Sequence, residues 1–326
     1  MKAIVCQAFG PIETLTFADF PLPPVAPTQV RLAVRAASLG FMDILMAQGK
    51  YQLRPPLPYV PGACGAGDVI EVGNAVRAVR PGDRVSFLNY YGAFAEETVT
   101  EEHALVLLPG HMSYEQAATY RLTYSPAYFA LVERAHLKAG ETLLVTGAAG
   151  GVGMAATRLA KVLGARVIAA VGSEAKMAAV RANGADEVID YARESLRDRV
   201  KHLTGGNGAD VILDVVGGDI FDQCVRCINS LGRIIVMGFT SGRIPTLAMN
   251  LPLLKNCSII GVFYGGWGMG RNHEAVGRLN DTLLALASEG KLPAHVSQRY
   301  PLAETVAAMH ALLGRGVVGK LVLLPR

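Results

Sequence analysis

A glycine-rich run at residues 147–153 is the part of the sequence whose residue types point most directly to chemistry. It reads Gly-Ala-Ala-Gly-Gly-Val-Gly, follows the apolar stretch 142–145 and precedes a helix-like stretch at 154–164. A strand, a glycine turn and a helix in that order present backbone N–H groups and the positive end of the helix dipole to a pyrophosphate. The run predicts a dinucleotide site formed by Ala149, Gly150, Gly151, Val152 and Gly153. Glycine-rich turns also occur for packing alone, so the interpretation depends on the strand that comes after the helix.

The end of the next apolar segment, residues 166–171, indicates which dinucleotide binds. This segment begins about 20 residues after the first glycine, as a second strand of a βαβ unit would. An NAD site carries an acid at the end of that strand, and the acid would repel a 2′-phosphate. This chain has Gly172, Ser173 and then Lys176 there, so we predict NADPH. Glu174 is interpreted as a solvated residue in the first turn of a helix, and the alternative for Lys176 is likewise a solvated helix face.

Two regions of different pattern must position these residues. Residues 1–125 are rich in prolines, β-branched residues and turn signals, and they predict a β-rich, barrel-like domain with short strands that include 29–36, 67–72 and 83–87. From about residue 127 to 261 strands and helices alternate, which predicts an α/β fold with a doubly wound parallel sheet of the Rossmann type. The strands predicted there are 143–146, 166–170, 187–189, 211–214, 233–237 and 258–262. A final apolar strand at 320–324 could rejoin the first domain.

Length and charge exclude several classes of protein. A chain of 326 residues is too long for one ordinary core and suits two domains. The net charge of +4 is not clustered in a basic run, so no nucleic acid or anionic membrane is expected as a partner. No apolar run approaches the roughly 18 residues of a membrane helix, and the first ten residues do not form a signal peptide. We therefore predict a cytoplasmic protein.

The five cysteines are scattered, and a disulfide framework is not expected. Cys224 and Cys227 form a CxxC pair inside a segment, 220–229, that looks helical, and no second pair accompanies them. We interpret them as two small core residues one turn apart. The alternative is a redox or metal motif.

The whole chain resembles the zinc-independent quinone oxidoreductases of the medium-chain dehydrogenase/reductase superfamily. The resemblance covers almost the full length, and its pieces occur in the order of the family. They are Met1-Lys2-Ala3-Ile4-Val5, Asp43 with Gln48-Gly49-Lys50-Tyr51, Gly82-Asp83-Arg84-Val85, Ala148 to Gly153, Gly184-Ala185-Asp186 with Ile189-Asp190-Tyr191, Leu254-Lys255-Asn256, Gly261 to Gly265, and Gly319-Lys320.

The resemblance implies an NADPH-dependent reductase of quinones or of α,β-unsaturated carbonyls that forms a homodimer. It implies a GroES-like catalytic domain at 1–125 plus 266–326, a Rossmann domain at 126–265, and a cofactor in the cleft between them. It assigns Ser173, Lys176, Tyr191 and Arg315 to the 2′-phosphate region. It assigns Phe239, Thr240, Ser241, Phe263, Tyr264 and Gly265 to the nicotinamide half.

The expected chemistry needs no metal. Zinc alcohol dehydrogenases of the superfamily carry Gly-His-Glu where this chain has Gly62-Ala63-Cys64, so a histidine ligand is missing. Without a Lewis acid the site suits acceptors that their own conjugation already polarises. Negative charge that builds on the acceptor oxygen needs a donor, for which Tyr51 is the candidate. The alternatives are that Tyr51 only packs on the nicotinamide ribose or closes the pocket, and that water supplies the proton.

Asp43 and Arg121 complete the catalytic candidates. Arg121 replaces a common proline, and we interpret it either as an anchor for an anionic substrate or as a surface residue. The chain also departs from the family at Gly40, Cys64 and Pro126, where asparagine, glutamate and threonine are common. Because of these losses, an alternative function is an NADPH-binding protein with little catalysis that serves as a sensor or scaffold. A zinc alcohol dehydrogenase is the third alternative.

Overall fold

A computed structural model of the chain describes residues 1–268 and 272–325. Its strands are β1 (Lys2–Val5), β2 (Thr16–Asp19), β3 (Gln29–Leu39), β4 (Cys64–Val72), β5 (Arg84–Leu88), β6 (Glu97–Glu101), β7 (Leu105–Leu107), β8 (Thr142–Thr146), β9 (Arg166–Val171), β10 (Glu187–Asp190), β11 (Ala209–Asp214), β12 (Ile228–Val236), β13 (Ser258–Gly261), β14 (Val296–Pro301) and β15 (Lys320–Leu324). Its α-helices are α1 (Phe41–Ala47), α2 (Tyr114–Tyr128), α3 (Gly151–Val162), α4 (Met177–Ala182), α5 (Leu196–Leu203), α6 (Gly218–Cys227), α7 (Asn250–Lys255), α8 (Tyr264–Gly268), α9 (His273–Ser288) and α10 (Thr305–Leu313).

These elements divide into two compact units. The first unit comprises Met1–Thr123, Gly268–Leu284 and Ala294–Arg326, and the second comprises Tyr124–Trp267 and Ala285–Pro293. The sequence placed residues 285–293 with the first domain, whereas here they lie with the second unit. The roles of the two domains stay a prediction.

The first unit is built on a sheet with the strand order β14-β15-β3-β4-β5-β7, and β6 also pairs with β3. Strand β3 is the centre of this sheet, and its residues Val30, Leu32 and Val34 alternate into the core, while the residues between them are half-buried. An alternation of this kind is typical of a sheet with one face on the core. The last strand, β15, pairs antiparallel with β3, so the chain returns to this unit as the sequence suggested.

The second unit contains a six-stranded parallel sheet with the order β10-β9-β8-β11-β12-β13. Strands β8, β9 and β11 are buried almost throughout, because the helices of a parallel sheet cover both of its faces. The strand order reverses between β8 and β11, and ligands of such sheets bind at the carboxyl ends of the strands beside this reversal. The predicted α/β class with a Rossmann sheet is confirmed.

Strand β12 begins five residues earlier than the sequence predicted, and helix α6 ends at Cys227 where the helical pattern ran on to 229. The pairing of β12 with β11 is irregular between Ile228 and Arg233. Leu231 there has a φ of +60° and is 75% exposed. This irregularity breaks the alternation by which a strand is recognised in sequence. Within the described residues, no helix is long and apolar enough to span a membrane.

Candidate functional site

The glycine run forms the turn between β8 and α3. Gly147 has a φ of +58°, and a Cβ on Gly153 would lie 2.5 Å from the Gly147 carbonyl oxygen. Only glycine at position 153 therefore allows the helix to start so close to the turn. Gly150 precedes the helix in an extended conformation and has no side chain with which to cap it. The first turn, which contains Gly151 and Val152, is thus open to phosphate oxygens.

The end of β9 meets the end of β10 through Gly172 and Tyr191. A Cβ on Gly172 would lie 3.0 Å from the Tyr191 hydroxyl oxygen, so the tyrosine ring covers this glycine. The Tyr191 N–H also donates to the Val171 carbonyl at 3.0 Å. Ser173 precedes the turn Glu174–Lys176 in an extended conformation, and the Lys176 N–H donates to the Ser173 carbonyl at 3.2 Å. The structure therefore brings together the residues predicted to surround a 2′-phosphate in this unit.

The two acids nearest this region are engaged elsewhere. Glu174 lies 2.7 Å from Arg193 in an exposed ion pair. Asp190 is 4% exposed, its Oδ1 accepts from the Ala192 N–H at 3.0 Å, and its Oδ2 lies 3.9 Å from Arg193. Arg193 was not predicted as a site residue, although its position two residues after Tyr191 was a signal. The local charge remains suited to a phosphate.

A buried carboxyl ties the ends of β8 and β11 together. Asp214 is fully buried, accepts from the Thr146 hydroxyl at 2.6 Å and accepts from the N–H groups of Val216 and Gly217 at 3.1 Å each. Burial raises the pKa of Asp214, and these hydrogen bonds oppose the rise. Thr146 immediately precedes the glycine turn. Asp214 is therefore a positioning residue of this edge that was not predicted from the sequence.

The loop after β12 lies on the loop after β11. The Thr240 hydroxyl donates to the Val215 carbonyl at 3.1 Å, and the Ser241 N–H donates to the Val216 carbonyl at 2.9 Å. A Cβ on Gly217 would lie 2.9 Å from the Phe239 ring. The loop residues predicted to contact the nicotinamide half thus lie at the carboxyl edge of the sheet. They are Phe239, Thr240 and Ser241, of which Thr240 and Ser241 are exposed.

The segment after β13 carries the other predicted nicotinamide residues. Phe263 is 47% exposed, whereas Tyr264 is buried with its ring centroid 5.9 Å from that of Phe129. Phe129 in turn stacks on Trp267 at 4.3 Å between ring centroids. The half-buried Gly265 follows Tyr264 in α8. This aromatic cluster fixes the backbone that presents the exposed Phe263 ring.

In the first unit, Asp43 and Lys320 hold the junction between β3 and α1. The Asp43 Oδ2 accepts from the Gly40 N–H at 2.7 Å, and the Lys320 ammonium donates to the Leu39 carbonyl. Burial raises the pKa of Asp43 to about 6, against the Gly40 N–H and the charge of Lys320. Burial likewise lowers the pKa of Lys320 to about 8, against the negative charge of Asp43. The Asp43 side chain is therefore directed to backbone, and the pairing of its charge with Lys320 was not predicted from the sequence.

Tyr51 follows α1 and is half-buried. Burial raises its pKa to about 12, and the neighbouring Tyr90 and Asp43 raise it further. The phenol is thus a proton donor throughout the neutral range. The structure brings Tyr51 and Asp43 within electrostatic reach of each other.

Cys64 and Arg121 are both buried. Burial raises the pKa of the Cys64 thiol to about 11, against the positive charges of Arg121 and Lys320. Arg121 is 6% exposed and donates to the Ala104 carbonyl, so it is not a surface residue. Arg315 lies in the first unit after α10, with a φ of +57°. The functional roles of Arg121 and Arg315 stay predictions.

All five cysteines are free thiols, and burial raises the pKa of each one. Cys224 and Cys227 belong to the core of the second unit, as the sequence interpretation held. Across residues 1–268 and 272–325, no three His, Cys, Asp or Glu side chains are grouped as metal ligands would be.

Comparison with known proteins identifies the class. Residues 26–110 match the alcohol dehydrogenase GroES-like domain, and residues 151–280 match the family described as zinc-binding dehydrogenase. A GroES-like sheet domain followed by a Rossmann sheet defines the medium-chain dehydrogenase/reductase superfamily, to which this chain belongs.

The relatives narrow the class to one family. The chain is 40% identical over 328 residues to a quinone oxidoreductase-like protein 2 homolog of Nematostella vectensis, covering 99% of this chain and 88% of that protein. It is 35% identical over 326 residues to the quinone oxidoreductase of Pseudomonas aeruginosa, covering 99% of both. The crystal structure of Escherichia coli quinone oxidoreductase complexed with NADPH matches with a TM-score of 0.93 and 29% identity over 100% of both chains. The chain belongs to the quinone oxidoreductase family and is an oxidoreductase of that type.

Proposed function

We propose that this protein is an NADPH-dependent reductase that delivers a hydride, without a metal, to a quinone or to an alkene conjugated to a carbonyl. The observation that carries the proposal is the charge at the end of β9. Glu174 is paired with Arg193, and Asp190 accepts a hydrogen bond within its own loop, so both acids are engaged beside the Ser173 hydroxyl and the Lys176 ammonium that would bind a phosphate. The NADPH complex of the Escherichia coli relative supports the same choice of cofactor.

The residues of the second unit fit such a cofactor. The open helix start at Gly150–Gly153 would hold the pyrophosphate, and Lys176 with Tyr191 would hold the 2′-phosphate. The loops Phe239–Ser241 and Phe263–Gly265 would hold the nicotinamide half, and by resemblance Arg315 would add a cation to the phosphate. When bound, NADPH supplies the hydride.

Tyr51 would act on the acceptor. A quinone or enone that gains a hydride develops negative charge on its oxygen, and a donor placed there lowers the barrier. Tyr51 stays protonated because its pKa is raised to about 12, so it can donate at neutral pH. Asp43 would contribute by fixing the start of α1, after which Tyr51 follows, and Arg121 would be the anchor for an anionic acceptor.

Steady-state oxidation of NADPH against a panel of quinones and enones tests this function, with Tyr51→Phe as the variant. We expect turnover on at least one acceptor and a fall in kcat of roughly 10²-fold in the variant, with the Kd for NADPH unchanged. Tyr91→Phe is the matched control, because Tyr91 is 39% exposed and packs edge-on against Tyr59. Binding of NADPH without turnover on any acceptor would favour the sensor or scaffold alternative. An active variant would leave Tyr51 with a packing role.

We further propose that the protein is a homodimer that pairs through β13. This strand is the edge of the parallel sheet, and its Ile259 is 38% exposed. The neighbouring helix α7 adds the exposed side chain of Leu253, and Met249 lies just before it, each 72% exposed. An exposed apolar edge strand is a template for pairing with a second chain, and a second copy would cover these side chains.

A further inference from the structure

A groove of about 430 Å³ lies on the second unit between α5, α6 and α7. Lys201, Arg226 and Lys255 lie in the last turns of these three helices, just before the strands β11, β12 and β13. These three residues therefore lie toward the amino edge of the sheet, opposite the edge that carries the glycine turn. Its volume falls within the range of small-molecule sites, about 300 to 1,000 Å³.

Four cations line the groove. They are Arg197, Lys201, Arg226 and Lys255, and the other lining residues are Val225, Leu251 and Leu254. Within the described part of the chain, no carboxylate lies within ion-pair distance of Lys201, Arg226 or Lys255, while Arg197 lies 3.3 Å from the exposed Asp198. The positive charge of the groove is thus almost uncompensated.

Lys201 and Lys255 approach each other closely enough to interact directly. The Lys201 ammonium is held by the carbonyls of Gly206 and Asn207 at 2.8 and 3.1 Å. Burial lowers the pKa of Lys201, and the charge of Lys255 and contact with its side chain lower it further. The Cys227 thiol beneath these lysines is no counter-ion, because burial raises its pKa to about 12.

Compensation of helix dipoles does not account for this arrangement. A cation is favourable in the last turn of its own helix, but that benefit does not require three such cations to converge. Their mutual repulsion is relieved by an anion bound among them. The structure therefore has a place for a negatively charged group.

Apolar side chains complete the groove. Val225 forms its floor at 2% exposure, Leu251 is half-buried and Leu254 stands at the rim, 70% exposed. The turn of α7 places Leu251 and Lys255 on a different face from Leu253, so the groove is separate from the surface proposed for dimerisation. The ligand should therefore combine an anionic head with an apolar body.

We propose that this groove binds a phosphate monoester whose remaining part is apolar. Lys201 already donates to two carbonyls, but the guanidinium groups of Arg197 and Arg226 and the ammonium group of Lys255 still offer more donors than one carboxylate can accept. A phosphate dianion has three oxygens for them. Arginine forks match phosphate geometry, and lysines add compact charge. The site is independent of the proposed reductase activity.

Calorimetric titration of the full-length protein with phenyl phosphate tests this proposal, with and without saturating NADPH. We expect phenyl phosphate to bind at least about tenfold more tightly than benzoate or inorganic phosphate, since only it supplies both the dianion and the ring. NADPH should not compete, because the glycine turn lies at the other edge of the sheet.

The variants Lys255→Gln and Arg226→Gln locate the site. Each should weaken phenyl phosphate binding by at least about tenfold. Lys138→Gln changes an exposed lysine that does not line the groove, and it should leave the affinity for phenyl phosphate unchanged. Equal affinity in all variants, tighter binding of benzoate, or displacement by NADPH would overturn the proposal. A loss of dimerisation in Lys255→Gln without a change in phosphate affinity would also overturn it, because the groove would then be a subunit contact.

Discussion

Individual charges at the ends of two strands decide which dinucleotide this chain can hold. An NAD site needs a free carboxylate where β9 ends, and here the position is a glycine covered by the Tyr191 ring. The nearest acid, Glu174, is neutralised by Arg193. The proposed preference for a phosphorylated ribose therefore depends on a few residues and should respond to single substitutions.

Replacing Lys176 by alanine tests that property. In Lys176→Ala the Kd for NADPH should rise by about tenfold or more, while the Kd for NADH stays nearly unchanged, because only the 2′-phosphate loses a charged hydrogen bond. Quenching of intrinsic fluorescence on titration gives both constants. Lys138→Ala is the matched control, and equal losses for both cofactors would contradict the assignment.

Asp43 makes stability depend on pH in an unusual direction. Its pKa is about 6 in the folded state and 3.8 when unperturbed, so between these values the folded protein binds more protons than the unfolded chain. The contribution of Asp43 to the free energy of unfolding should therefore fall by up to about 3 kcal/mol as the pH rises from about 4 to 6. Urea unfolding of the wild type and of Asp43→Asn at several pH values measures the difference. A gap between the two proteins that is constant from pH 4 to 6 would contradict this expectation.

At the scale of elements, the turn between β8 and α3 contains one glycine that packing requires and one that packing does not require. Gly153 is required by packing, because its Cβ would overlap the Gly147 carbonyl, whereas a Cβ on Gly150 would lie 3.4 Å from that oxygen. The backbone of Gly150 also has a φ of −74°, which any residue adopts. The two glycines serve the same turn for different reasons.

A pair of alanine variants distinguishes these reasons. Gly153→Ala should destabilise the protein by about 1 to 3 kcal/mol and weaken NADPH binding, because the helix start must move. Gly150→Ala should keep nearly normal stability in the absence of cofactor and still lose affinity, because its methyl group occupies the approach of the phosphates. Thermal unfolding and NADPH titration of both proteins provide the comparison. Full affinity in Gly150→Ala would mean that the pyrophosphate lies elsewhere.

At the scale of the whole molecule, the edge strand β13 of the parallel sheet is the proposed dimer contact. Ile259→Lys places a charge on β13 in the proposed dimer contact and should convert a dimer into a monomer with little change in the stability of the isolated chain. Sedimentation equilibrium measures the mass of each form. Ile70→Lys, at a residue 43% exposed in the first unit, is the matched control. A wild type that is monomeric at all concentrations would refute the dimer directly.

The sequence predicted most of this architecture because its strong signals are local. Buried parallel strands such as β8 and β9 are continuous apolar runs, and the glycine turn between strand and helix has a fixed spacing. Asp214 and Lys320 escaped prediction because their importance arises from partners distant in sequence, namely Thr146 and Leu39. The early start of β12 was not predicted because its irregular pairing with β11 interrupts the alternation of apolar and polar residues.

The burial of the cysteine thiols affects how well the protein would withstand the electrophilic substrates proposed for it. Quinones and enones are soft electrophiles that alkylate thiolates, so a catalyst of their reduction risks self-inactivation. Four of the five thiols here, including Cys64 where the family commonly has glutamate, are buried, and each of the five has a pKa raised by burial. The four buried sulfur atoms are thereby kept protonated and shielded, and the protein should resist alkylation by the quinones and enones proposed as its substrates.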